Sequence, residues 1–144
     1  MKVKFFDVDG HVDACAFGAG VYQIKIGLVH APEQALPLYI GESFSMICRC
    51  SEHLYAVFCN DPAYFGLSAD HLHDNRLELI VEVYQSVEIS KDMSYRDRDV
   101  LLRKRERDAI ITQKPLSQTG CNDHLRTDRV DVVGQAISKM LDHV

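Results

Sequence analysis

The stretch Gly20-Val21-Tyr22-Gln23-Ile24-Lys25-Ile26-Gly27-Leu28-Val29 decides the fold. From Val21 onward apolar and polar positions alternate, the period of a strand with one buried face. His30 to Pro37 carries two prolines and reads as a loop. Leu38-Tyr39-Ile40 is a second short β run that stops at Gly41. The two runs make a strand pair with a tyrosine and a nearby glycine in each.

Beyond Gly41 the period lengthens. Phe44, Ile47, Leu54, Val57 and Phe58 fall on one helical face, with Ser43 as the N-cap and an end near Asn60-Asp61-Pro62. A turn-rich loop runs through Gly66 to Asn75. Leu77 to Ile89 is the longest strand signal, with Leu77, Leu79, Val81 and Val83 on one side. Ser94 or Asp97 opens a charged helix that ends near Gln113, before the restriction imposed by Pro115. Thr119 to Thr127 reads as an irregular loop. Thr127 or Asp128 then caps a last helix with Val130, Val133, Ile137, Met140 and Leu141 on its apolar side.

Upstream, Val3–Phe6 and Val12–Cys15 flank Asp9-Gly10, a primed-turn dipeptide, and predict an N-terminal hairpin. The expected class is α+β: a small, mostly antiparallel sheet, with a three-stranded core plus the hairpin, flanked by helices. One domain spans 1–144, divided into a hairpin extension (1–18), a core (19–118) and a C-terminal loop and helix (119–144).

Composition sets bounds on function. Of 144 residues, 47% are apolar and 26% charged, which excludes a disordered tail, a collagen-like fibre and a disulfide scaffold. Five scattered cysteines read as reduced thiols. Cys48, Cys50, His53 and Cys59 have zinc-like proximity, but a helix sets positions 48 and 50 far apart around its axis. Met1 to Phe6 does not resemble a signal peptide, and no apolar run reaches the roughly 18 residues of a membrane span. The expected location is the cytoplasm, with no membrane partner.

Three groups could carry chemistry. Arg49 and His53, four apart on the first helix, are neighbours on one face. They read as a phosphate-binding pair or as a solvated polar face. Glu106 shares a stripe with Leu102, Ala109 and Ile110, so its carboxylate needs a cation or donors unless Arg103 or Arg107 draws it outward. Tyr22 and Tyr39 beside Gly20 and Gly41 are packed aromatics or hydroxyls at a close-approach site. Glu82 is a further carboxylate candidate, read as a sheet-face residue.

The ordered set Gly20-Val21-Tyr22, Tyr39-Ile40-Gly41, Arg49, His53, Glu106, Ile110 and Pro115 resembles the GIY-YIG nuclease superfamily over about Ala19 to Gln118. The resemblance implies a divalent-metal-dependent endonuclease that hydrolyses DNA phosphodiester bonds. It implies Mg²⁺, with Mn²⁺ as substitute, held by Glu106. Arg49 becomes a phosphate clamp, Tyr22 activates or orients the attacking water with His53, and Tyr39 shapes the water site. A tyrosine base requires a pKa well below its usual value of about 10. Gly41, Glu42, Arg103, Lys114 and Gln118 are the implied substrate contacts. Glu42 stands where many members have lysine, Gln118 where an asparagine is usual, and the segment between the tyrosines is longer.

Two alternatives stand beside this. One is a catalytically weak or inactive accessory protein of the same fold that binds nucleic acid. The other is an interaction protein that dimerises through Val133, Ile137 and Met140. The formal charge of −5 argues against indiscriminate coating of nucleic acid. That charge is unevenly spread. Between positions 96 and 107, Arg96, Arg98, Arg103, Lys104, Arg105 and Arg107 face only Asp97, Asp99 and Glu106. The expectation is salt-dependent DNA binding through one face, with tight binding left to a homodimer or partner protein.

Overall fold

The structure, a computed structural model, describes residues 1–60, 62–118 and 126–143. Among the described residues there are six strands: β1 (Lys2–Phe5), β2 (Asp7–Val8), β3 (His11–Val12), β4 (Gly20–Leu28), β5 (Ala31–Ser43) and β6 (Leu77–Ser86). The helices are α1 (Met46–Tyr55), α2 (Ala69–His73), α3 (Tyr95–Gln113) and α4 (Arg126–Leu141). β1, β6, β4 and β5 form a mixed four-stranded sheet in that order, and β2 and β3 a separate two-stranded hairpin. The class is α+β.

The N-terminal expectation needs correction. Lys2–Phe5 does not belong to a hairpin; it pairs parallel with β6, in the register Lys2 to Glu78 and Phe5 to Val81. Only Asp7–Val12 turns back at Asp9-Gly10, where the Asp7 carboxylate accepts from the Gly10 N–H at 2.9 Å. Parallel pairing joins segments far apart in sequence and leaves no local signature, whereas the Asp-Gly turn does.

The expected loop at His30–Pro37 is also corrected. The β4–β5 hairpin turns after Leu28, and β5 runs from Ala31 through both prolines. β5 is an edge strand, so Pro32 and Pro37 remove no ladder bond that the sheet interior needs. Near Pro37 the register shifts between Ile24 and Lys25. The outer edge of β5 is sealed by the chain after α3. Leu116 N–H donates to Pro37 O, Ser117 N–H to Leu38 O, and the Gln118 amide bonds both Ile40 N–H and Ile40 C=O at 2.8 Å. A covered edge cannot template pairing with another chain.

Ser43 stays in β5, and α1 starts after Ser45, which makes no side-chain cap bond. The helical face is therefore only partly the expected one, with Ile47 and Leu54 packed against the core as expected. Met46, Cys50, His53 and Val57 are buried, while Phe44 and Phe58 are exposed. After Tyr55 the chain continues as one π-helical stretch, Ala56–Asn60. The turn-rich segment before β6 contains α2, whose Ser68 forms a capping box with His71.

Tyr22, Ile24 and Ile26 of β4 join Leu79 and Val81 of β6 in the main core, packed with Met46, Cys50, Val133 and Ile137. The alternate residue Val21 forms a smaller cluster with Ile40 and with Ala109 and Ile110 of α3. α3 starts as expected, with the Ser94 hydroxyl accepting from Asp97 N–H. α4 already contains Thr127 and Asp128, so neither is its cap; the expected loop at 119–125 lies outside the described residues. Val133 and Ile137 are fully buried within the chain, so they cannot form the expected dimer surface. No helix among the described residues is long and apolar enough to cross a membrane.

Candidate active site

The β4–β5 register sets Tyr22 opposite Gly41 and Ile24 opposite Tyr39, which brings both tyrosines to one side. Gly41 has no room for a side chain: a Cβ there would fall on the Tyr22 hydroxyl and its ring carbon. Gly20 is equally confined, because its Cβ would strike the carbonyl of Gln85 across the sheet. Each glycine of the two tripeptides thus has a packing reason of its own.

α1 delivers His53 to the tyrosines. The ring is 1% exposed, so it is not part of a solvated face as its spacing from Arg49 suggested. Its Nε2 shares a hydrogen bond of 2.7 Å with the Tyr22 hydroxyl, and its Nδ1 one of 2.8 Å with the Tyr64 hydroxyl. Tyr39 and Phe65 close the box, with ring centroids 5.1 and 5.2 Å from His53. With both ring nitrogens engaged, His53 cannot join a zinc site; Cys48 and Cys59 are exposed and Cys50 is buried. Among the described residues no three His, Cys, Asp or Glu side chains converge as a metal site.

Burial holds the site in its neutral forms. It pushes His53 down to about 4, with the Arg49 cation adding to the effect. It raises Tyr22 far above the ordinary phenol range, with Tyr39 and Cys50 adding, and it raises Tyr39 with help from Glu106. The depressed tyrosine pKa that a free tyrosinate base requires is therefore not present here.

A cavity of about 640 Å³ opens beside this box. Its walls include Tyr39, Arg49, His53, Tyr64, Gln118 and Arg129. Tyr22 is buried behind it. Arg49 is tethered to Glu52 at 2.7 Å in an exposed pair. Glu106 reaches the same neighbourhood from α3, accepting a backbone hydrogen bond from Glu42. Burial first, then the Glu42 charge, raises its pKa. Glu42 is raised in turn by burial and then by Asp99, while Arg103 and Arg49 oppose the shift.

Other expected contacts lie apart. Lys114 is an exposed left-handed residue that ends α3 (φ 50°) and does not line the cavity. Glu82 is engaged elsewhere, with Lys25 at 2.7 Å and the Gln23 amide at 3.1 Å. Sequence reasoning missed Tyr64 and Arg129. The segment 63–66 holds Ala63 and Phe65 at positive φ (68° and 56°), an unfavourable backbone that aims Tyr64 at His53. Its only trace in the sequence is the aromatic pair before Gly66. Arg129 enters from α4, whose amphipathic pattern carries no signal for a site. No family model, curated protein or solved structure matches this chain.

Proposed function

We propose that the chain is a divalent-metal-dependent endonuclease of the GIY-YIG kind, hydrolysing DNA phosphodiester bonds. The observation that carries this reading is one neighbourhood holding Tyr22, Tyr39, Arg49, His53 and Glu106, drawn from two strands and two helices. Two tyrosines, an imidazole, a cation and a carboxylate beside an open cavity suit phosphoryl chemistry. Packing alone does not require that set.

The donor set also fits Mg²⁺, which needs one or two carboxylates and takes its remaining ligands from water and substrate phosphate. Glu106 is the residue that would hold it, and the Glu42 charge that raises its pKa is one that a nearby cation would offset. When bound, the ion supplies charge stabilisation to the phosphate and the leaving 3′ oxygen.

The protein's own residues do the rest. Arg49 exchanges Glu52 for a non-bridging phosphate oxygen; the exposed pair it gives up is worth less than about 1 kcal/mol. Pairing of Arg49 with the phosphate also relieves the repulsion that lowers His53, so the imidazole becomes more basic as substrate arrives. The water oxygen forms a bond to phosphorus and the bond to the 3′ oxygen breaks. The water proton passes to a tyrosine hydroxyl as that hydroxyl passes its own to His53. Tyr22 holds this role by resemblance; Tyr64, which lines the cavity and bonds the same ring, is the second candidate.

The test is nicking of supercoiled plasmid with Mg²⁺ by wild type, Arg49→Ala and Glu106→Ala. Loss in both variants supports the assignment, and activity that survives both removes it. One observation favours an accessory protein without catalysis: Glu42 adds a second negative charge where a phosphate must approach. Mg²⁺-independent DNA binding with no nicking by the wild type selects that alternative.

A further inference from the structure

At the start of α3, Tyr95 is 76% exposed and Phe44, just after β5, is 44% exposed. The Arg98 guanidinium lies between them, 4.7 Å from the Tyr95 ring centroid and 5.8 Å from that of Phe44. Its Nε donates to the Met93 carbonyl at 3.3 Å, which fixes the head against the two rings. Beside them a cleft of about 470 Å³ is lined by Phe44, Val87, Ile89, Lys91 and Arg98.

Two solvent-facing aromatic rings around one anchored cation are unfavourable for a surface that stays wet. A cation–π contact between exposed groups contributes only about 0.5–1 kcal/mol and does not need two rings. Aromatic faces next to arginine and lysine suit a flat, electron-rich ring carried on a polyanion. Past Asp97 and Asp99 the charge along α3 has the complementary sign, through Arg103, Lys104, Arg105 and Arg107. Tyr95 is eleven residues before Glu106 on the same helix. At 1.5 Å per residue that places the rings about 16 Å along the axis from the carboxylate, a few nucleotides along an extended strand.

We propose that Phe44, Tyr95 and Arg98 form a stacking platform for an unpaired base of the DNA substrate. The proposal rests on the nuclease reading and deepens it: the preferred substrate has single-stranded character beside the scissile phosphate. Stacking reads no base identity, because every base has a π face, so the platform selects for strand state and not for sequence.

The experiment measures binding of a labelled oligo-dA single strand and of a blunt duplex of equal length, at low salt and without divalent metal, so that cleavage plays no part. Tyr95→Ala and Phe44→Ala should each weaken single-strand binding about tenfold, with little change for the duplex. Tyr95→Phe should keep wild-type affinity, because it keeps the ring. The salt slope should stay as in wild type, since no charge is removed. Wild-type affinity in both alanine variants overturns the proposal, as does an equal loss for strand and duplex. Absence of binding to either DNA overturns it together with the nucleic-acid reading. Selective loss of single-strand binding in a protein that does not nick supports the platform and rejects only the endonuclease.

Discussion

The Tyr22 hydroxyl lies 2.7 Å from His53 Nε2, and the two are joined across β4 and α1 inside the core. Removing the hydroxyl strands a buried ring nitrogen, whose lost partner costs about 1–3 kcal/mol. Tyr22→Phe should therefore lower the urea midpoint and also reduce nicking, by roughly a hundredfold if the hydroxyl relays the proton. Tyr64→Phe leaves the Nε2 partner in place and should cost similar stability with a smaller loss of rate. A larger rate loss in Tyr64→Phe moves the relay to the cavity side.

The depressed His53 pKa makes stability depend on pH. In the unfolded chain the imidazole titrates near 6.5, and in the folded chain near 4. Between those values the unfolded state binds more protons, so stability is present in full above about 6.5 and is lost as pH falls toward 4. The size of the loss is of the order of 3 kcal/mol. Urea unfolding at neutral and at mildly acidic pH measures it; His53→Gln should flatten the slope relative to wild type. Equal slopes would show that His53 is not buried in its neutral form.

Local rules made much of this legible. Alternation found β4, Ser94 and Pro115 bracketed α3, and the stripe through Leu102 and Ala109 set Glu106 toward the sheet. Long-range pairing defeated the same rules. β1 gains its place only by meeting β6, and the proline-rich half of β5 is a strand only because it lies at an edge. The burial of His53 escapes the sequence for a related reason. Helical spacing from Arg49 gives its angle, but burial of a polar ring depends on the two hydroxyls that satisfy it, and Tyr64 arrives from a turn with no period.

Gly41 is the tightest point of the tyrosine pair. A Cβ at this position coincides with the Tyr22 hydroxyl, and the neighbouring strand limits any retreat. Gly41→Ala should destabilise the chain by about 1–3 kcal/mol, the usual range for overpacking. It should also break the Tyr22–His53 bond. The double variant Gly41→Ala with Tyr22→Phe tests the mechanism, because removal of the clashing hydroxyl should make the alanine less costly. Simple additivity of the two effects would count against a clash at that atom.

Gln118 separates a structural from a substrate-binding role. Its amide donates to the Ile40 carbonyl and accepts from the Ile40 N–H, acting as a one-residue strand on the edge of β5. Gln118→Ala leaves both backbone groups to find water and should cost about 2 kcal/mol. DNA affinity of the folded fraction should remain unchanged. Loss of affinity at unchanged stability would make the side chain a substrate contact.

Glu52 gives the Arg49 role a test in the direction of gain. The 2.7 Å pair occupies the guanidinium at the cavity wall, and both side chains are exposed, so little stability depends on it. Glu52→Gln should leave the melting temperature nearly unchanged. The freed arginine, with one less negative charge nearby, should bind phosphate more tightly, giving a roughly two- to fivefold lower KM for DNA at low salt. High salt should erase the gain, because the interaction is exposed and screened. In the Arg49→Ala background the same substitution should do much less, since only the long-range charge remains. An undiminished gain in that background would show that Glu52 acts through the general field and not through Arg49.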